Sequence, residues 1–147
     1  MTDRIEKSVD LDAPIERVWR AVTDHVQFGE WFKVKLDQPF VPGGRSTGRI
    51  TYPGYEHMTW TAEVVAMDEP RLFSFRWPHM DDSQQVREDW AWTLVEFRLE
   101  PNGTGTRLSV TESGFDALPA EHRGRAFRSN EGGWAEQMGN IKAYVGG

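Results

Sequence analysis

Residues 119–145 read PAEHRGRAFRSNEGGWAEQMGNIKAYV, and within them Phe127, Trp134, Met138, Ile141 and Val145 recur at spacings of seven, four, three and four. That period lays one apolar stripe along a single long helix, from about Pro119 to Val145. Gly132 and Gly133 fall inside it. Each costs about 1 kcal/mol relative to alanine in a helix, so a close approach or a kink is expected there to compensate. A helix with one apolar stripe needs a surface to bury it against, and the preceding residues supply a sheet.

The strands are legible from alternation. Ser8 to Asp12 reads as a first strand, with Ile5, Val9 and Leu11 on its apolar side. Asp12, Ala13 and Pro14 read as a cap and a first-turn proline, and Val18 and Val22 follow at helical spacing to about Thr23. Asp24 then caps a second short helix through Phe28, Trp31 and Phe32. Leu36 to Arg45, with Pro39, Pro42 and the Gly43-Gly44 turn, reads as a loop.

A meander follows. Thr47 to Tyr52, Met58 to Met67 and Leu72 to Trp77 each alternate, and Asp68-Glu69-Pro70 turns the chain before the last of them. Pro78 to Asp89 is polar and without period, and is expected to be an exposed loop. Trp92 to Glu100 and Thr106 to Ser113 are two further strands joined at Pro101 to Gly105. The expected architecture is therefore α+β: a curved six-stranded antiparallel sheet around a long C-terminal helix, with two short helices after the first strand. It forms one domain over residues 1–147.

Composition narrows the function classes. A chain of 147 residues buries roughly 68 to 70% of its unfolded surface and needs no staples. It contains no cysteine, which excludes disulfides, thiolate metal sites and cysteine nucleophiles. Seventeen basic and 23 acidic side chains give a net charge of −6 with no basic block, so nucleic acid is not an expected partner. The charged N-terminus MTDRIEKSVDLDAP lacks the apolar core of a signal peptide, and no stretch approaches the ~20 apolar residues that span a bilayer. A cytoplasmic protein without membrane insertion is expected. Seven Trp, three Tyr and eight Phe stand in a chain only 38% hydrophobic. Aromatics serve both cores and binding cavities, and both readings stay open.

Six segments carry a resemblance: Val9 to Trp19 (VDLDAPIERVW), Thr23-Asp24, Trp31-Phe32, Pro39 to Gly44 (PFVPGG), Glu112 to Phe115 (ESGF) and Asn130 to Trp134 (NEGGW). In that order they resemble the heat-shock-protein-90 ATPase activator homologue family of the START-like (SRPBCC) helix-grip superfamily. The resemblance implies the helix-grip fold and a cavity under the long helix. It does not imply one activity, because carriers, cyclases and aromatases share that scaffold. The family's namesake adds a second domain for which 147 residues are not expected to leave room.

Among the candidate residues, Glu112 follows Leu108 and Val110 at period two and so shares their inward face. Unpaired there, its carboxyl would be pushed upward and could work as a general acid or base, or accept a hydrogen bond from a ligand. Alternatively it caps a loop or pairs with a basic residue such as Arg123. His25, His57, His79 and His122 lack the spacing of a metal helix, and only His57 is kept as a ligand contact. No serine sits in a nucleophile elbow, and Pro42 to Gly48 lacks the lysine of a phosphate loop. No metal and no cofactor is called for.

The interior is expected to be lined by Trp31, Phe32 and Phe40 from the first half of the chain. Tyr52, Trp60, Phe75, Trp77 and Phe97 join them from the sheet, and Trp134 and Met138 from the long helix. These residues point to a noncatalytic module that holds a small apolar or aromatic molecule. The alternatives are a chaperone-associated protein-binding module and a cyclase- or hydrolase-like enzyme using Glu112 with His57 or Tyr52. A protein partner would need an apolar outer sheet face, against which Arg49, Thr51, Thr59, Thr61, Glu63, Ser74 and Arg76 argue.

Overall fold

The structure, a computed structural model, describes residues 4–146. Strand β1 (Arg4–Leu11) leads into helices α1 (Ile15–Thr23) and α2 (His25–Phe32). Then come β2 (Val34–Leu36), β3 (Arg45–Ile50), β4 (Thr59–Asp68), β5 (Leu72–Trp77), β6 (His79–Met80), β7 (Val86–Arg87), β8 (Thr93–Asn102) and β9 (Gly105–Ser113). A short 3-10 turn at Phe115–Ala117 precedes α3 (Ala120–Val145). The main sheet has the order β1-β9-β8-β5-β4-β3-β2 with every neighbour antiparallel, and β6 and β7 form a separate ribbon. This is the helix-grip architecture.

Two expectations are corrected. The sheet has seven strands rather than six, because β2 forms where the chain leaves α2. Lys33, at φ 69°, turns the chain sharply at the end of that helix. Gly48 then lets β3 run close alongside β2, since a Cβ on it would stand 2.3 Å from the Lys35 carbonyl oxygen. Second, Pro78 to Asp89 is not a plain exposed loop but carries the β6–β7 ribbon. The Asp81 carboxylate organises its turn, accepting hydrogen bonds from the backbone of Ser83 (2.9 Å) and Gln85 (3.1 Å).

The early helices obey local rules with one difference. Asp24 caps α2 as expected, its carboxylate accepting from the Gln27 N–H at 3.0 Å. Pro14 is itself the N-cap of α1, and no side chain caps that helix.

The sheet's inner face and α3 enclose the core. In β8 and β9 the alternation is complete: Val95, Phe97, Leu99, Leu108 and Val110 are buried, with Arg98 and Arg107 exposed between them. Ser74, expected on the outer face, is buried. A bulge in β4 at Val65 shifts the register opposite it and breaks the simple alternation. From α3, Trp134, Met138, Ile141 and Val145 fill the concave side, and each such side chain contributes about 1.5–3 kcal/mol on burial. Helix α3 is unbroken through Gly132 and Gly133, and a Cβ on either would meet no atom within 4 Å. Neither the expected kink nor a close approach of protein atoms accounts for them.

Candidate functional site

Period two puts Glu112 on the inner face of β9, between Ile5 on β1 and Val95 on β8. A carboxylate among apolar neighbours, with no solvent exposure, must be compensated by hydrogen bonds. Oε2 accepts from the Thr93 hydroxyl at 2.5 Å and from the Trp77 indole N–H at 2.8 Å. Oε1 accepts from the Trp134 indole N–H at 2.8 Å. The Asn130 amide N–H group reaches both oxygens, at 2.9 and 3.1 Å. His79 Nε2 stands 3.3 Å from Oε2 and 2.7 Å from the Thr93 oxygen.

These contacts fix proton positions. The Thr93 hydroxyl gives its hydrogen to the carboxylate, so its oxygen accepts from His79, which therefore carries its proton on Nε2. The Asn130 amide must turn its NH2 group to the carboxylate, which leaves its carbonyl oxygen directed elsewhere. The cluster draws on β5, the β6–β7 ribbon, β8, β9 and α3, so it ties the sheet, the ribbon and the long helix at one point.

Burial on its own would raise the Glu112 carboxyl. The hydrogen bonds from His79, Thr93 and Trp77 outweigh it and hold the group below the ordinary glutamate value. This reverses the upward shift expected for an unpaired inward carboxylate, because the group is fully paired. The suggested partner Arg123 is not among its ligands; Arg123 donates to the Leu118 carbonyl at 3.0 Å. At neutral pH Glu112 is an anion whose oxygens are all engaged, with no proton to donate and no open lone pair facing a ligand.

In front of this cluster lies an open cleft of about 410 Å³ between α3, the end of α2 and the loop after β3. Trp77 and Trp134, stacked at 5.6 Å and 23°, form the wall that separates Glu112 from it. Ile50 and Met58 provide apolar surface on the opposite side, and Tyr52 and Tyr55 stand at the rim. Tyr52 bridges to α3 by donating its hydroxyl to Glu136 at 3.4 Å. On another edge Gln137 holds α3 to α2 by donating to the Phe32 carbonyl at 3.1 Å. A smaller cleft of about 220 Å³ adjoins under the β6–β7 ribbon, sharing Phe32, Ile50, Met58, Trp77 and Asn130 with the first.

Of the residues expected to line the interior, Phe32, Tyr52, Trp77 and Trp134 face the larger cleft, and Trp60 faces the smaller one. Trp31, Phe40, Phe75, Phe97 and Met138 are packed in the core and reach neither. Trp31, for example, is turned inward to donate its indole N–H to the Ala21 carbonyl at 2.7 Å. His57 is exposed and lies 3.3 Å from the Gln84 side chain, outside both clefts.

Sequence reasoning missed Asn130, His79, Thr93 and Gly133. Asn130 had a signal: it lies four residues before Trp134 and so shares its helix face. Thr93 had one as well, since it precedes Val95 and Phe97 at period two on the inward face of β8. His79 had none, because a ribbon of two-residue strands leaves no periodic trace.

Among the described residues no helix is long and apolar enough to cross a membrane. Comparison with curated proteins finds no match by sequence. Solved structures show the same fold. Protein Ms6760 from Mycobacterium smegmatis superposes with a TM-score of 0.76 at 22% identity, over 98% of this chain and 91% of that one. MLL2253 from Mesorhizobium loti gives 0.76 at 24% identity over 97% and 96%. The Aha1 dimer from Colwellia psychrerythraea gives 0.72 at 18% identity over 99% and 96%. Residues 12–146 match the family model described as Activator of Hsp90 ATPase homolog 1-like protein. With that match spanning nearly all of a helix-grip chain, the protein belongs to the Activator of Hsp90 ATPase homolog 1-like family.

Proposed function

We propose that this protein is a noncatalytic binding module that holds a small hydrophobic or aromatic molecule in the cleft between its sheet and α3. The observation that carries this reading is the cleft itself. It measures about 410 Å³, within the range of about 300–1,000 Å³ usual for small-molecule sites, and sets aromatic and apolar surface from Phe32, Ile50, Met58, Trp77 and Trp134 beside a polar edge that includes Asn130 and Gln137. The state of Glu112 supports binding over catalysis. Glu112, the one buried carboxylate near the cleft among the described residues, is ionised, saturated and screened by two indoles, so it works as a structural anchor for the cleft wall.

The outer sheet face supports a small molecule over a protein partner. Glu63 pairs there with Arg76 at 2.6 Å, and Arg45 with Glu88 at 2.6 Å, so that surface is a charged lattice and not an apolar patch. The test is native mass spectrometry of the protein purified from its own host, beside the same sample denatured. A bound small molecule lost on denaturation is the expected result. A bare chain mass, together with no saturable uptake of naphthalene-sized aromatics, overturns the proposal.

A further inference from the structure

Resting on the reading of the cleft as a small-molecule site, we infer that Gly133 is its specificity-determining position. A planar aromatic ligand lies there against the bare backbone of α3, with a hydrogen-bond donor directed to the Asn130 carbonyl oxygen. Two independent observations converge on it. The first is a glycine pair in the middle of a 26-residue helix, where glycine is the poorest residue after proline. Packing within the protein does not explain the pair, since a Cβ on Gly132 or Gly133 would meet nothing within 4 Å. Yet the two glycines differ: Gly133 lines the larger cleft and Gly132 does not. The space over Gly133 is cleft volume, and a methyl group there would occupy it.

The second is Asn130, one helical turn before Gly133 and therefore beside it on the same face. Its NH2 group is committed to Glu112, and its carbonyl oxygen accepts no hydrogen bond among the described residues. That oxygen cannot be exchanged for a donor by an amide flip, because the flipped amide would present oxygen to a carboxylate. The cleft thus offers an acceptor next to the bare helix backbone at Gly133, with the Trp77 and Trp134 rings adjoining. A hydroxyaryl or arylamine, thin in one dimension and carrying one N–H or O–H, matches these features. Glu112 acts on the ligand only through Asn130, as a positioning residue.

The experiment titrates 2-naphthol, and 2-methoxynaphthalene as its donor-free analogue, into wild type, G133A and G132A, and records the melting temperature of each protein. Both alanine variants are expected to melt higher than wild type, since alanine favours the helix and meets no clash. Wild type and G132A are expected to bind 2-naphthol equally, and more tightly than the methyl ether. G133A is expected to bind it about tenfold more weakly or worse, the usual cost of forcing an extra methyl into a filled contact. A variant that is more stable yet binds less separates ligand contact from folding. Equal affinity in wild type and G133A overturns this inference while leaving the cleft as a binding site. Equal affinity for the naphthol and its ether overturns the role of Asn130. Absence of saturable binding of both probes by wild type overturns this inference and the reading on which it rests.

Discussion

Trp134 on α3 and Glu112 on β9 meet at 2.8 Å, indole Nε1 to carboxylate Oε1, and this contact joins the long helix to the floor of the sheet. Trp77 makes the same bond to the other oxygen, also at 2.8 Å, so two stacked indoles share one anion. The cleft wall is therefore held by the charge behind it.

Glu112→Gln tests that wall directly. The amide is isosteric, but it turns an NH2 group toward donors and removes the charge they were arranged around. Breaking a buried, hydrogen-bonded ion in this way costs roughly 3 kcal/mol, and urea denaturation of the variant against wild type measures it. A loss below about 1 kcal/mol would show that the cluster carries little stability.

The same carboxylate makes stability depend on pH with a defined sign. Its folded value lies below the unfolded one, so its contribution is complete above the unfolded value. That contribution declines as pH falls from the ordinary glutamate value of 4.5 toward the folded value. Unfolding free energy measured from pH 7 down to pH 3 should fall more steeply in wild type than in Glu112→Gln. Parallel curves would contradict the assignment.

Trp134→Phe keeps a ring at the helix stripe and removes one donor. One charge-assisted hydrogen bond is lost, for an expected cost of about 1.5–3 kcal/mol in thermal or urea unfolding. Trp77→Phe should behave similarly. The two are expected to couple in a double-mutant cycle, because they share an anion and stack on one another.

Gly139 lies in α3 with no atom within 4 Å of a would-be Cβ, and it lines neither cleft. Gly139→Ala is expected to stabilise the protein by about 1 kcal/mol, read as a higher midpoint in denaturation. Asp24→Ala should destabilise by a similar amount through loss of the cap on α2.

Much of the fold was legible because it rests on local patterns. The stripe from Trp134 to Val145 fixed one long helix, alternation fixed the β8–β9 hairpin, and Asp24 marked the start of α2. What escaped was set by backbone geometry. Strand β2 depends on the left-handed turn at Lys33 and on the bare Gly48, and the β6–β7 ribbon depends on an Asp81 turn inside a polar stretch. At the site, period two placed Glu112 inward, while whether it would be paired, and by which residues, could not be read from β9 alone: the suggested Arg123 is not a partner, and Trp77, Thr93, Asn130 and Trp134 are.

The amino-acid sequence by itself determined that a curved sheet would grip a C-terminal helix, that Glu112 would face the interior, and that aromatics would surround it. Periodicity carries that information, since it tells each residue which face it occupies. Only the tertiary structure decided which aromatics became cleft wall and which became core. It also decided that a buried carboxylate would be an anchored anion, because five partners from the sheet, the ribbon and α3 reach Glu112 only once the chain has closed around it.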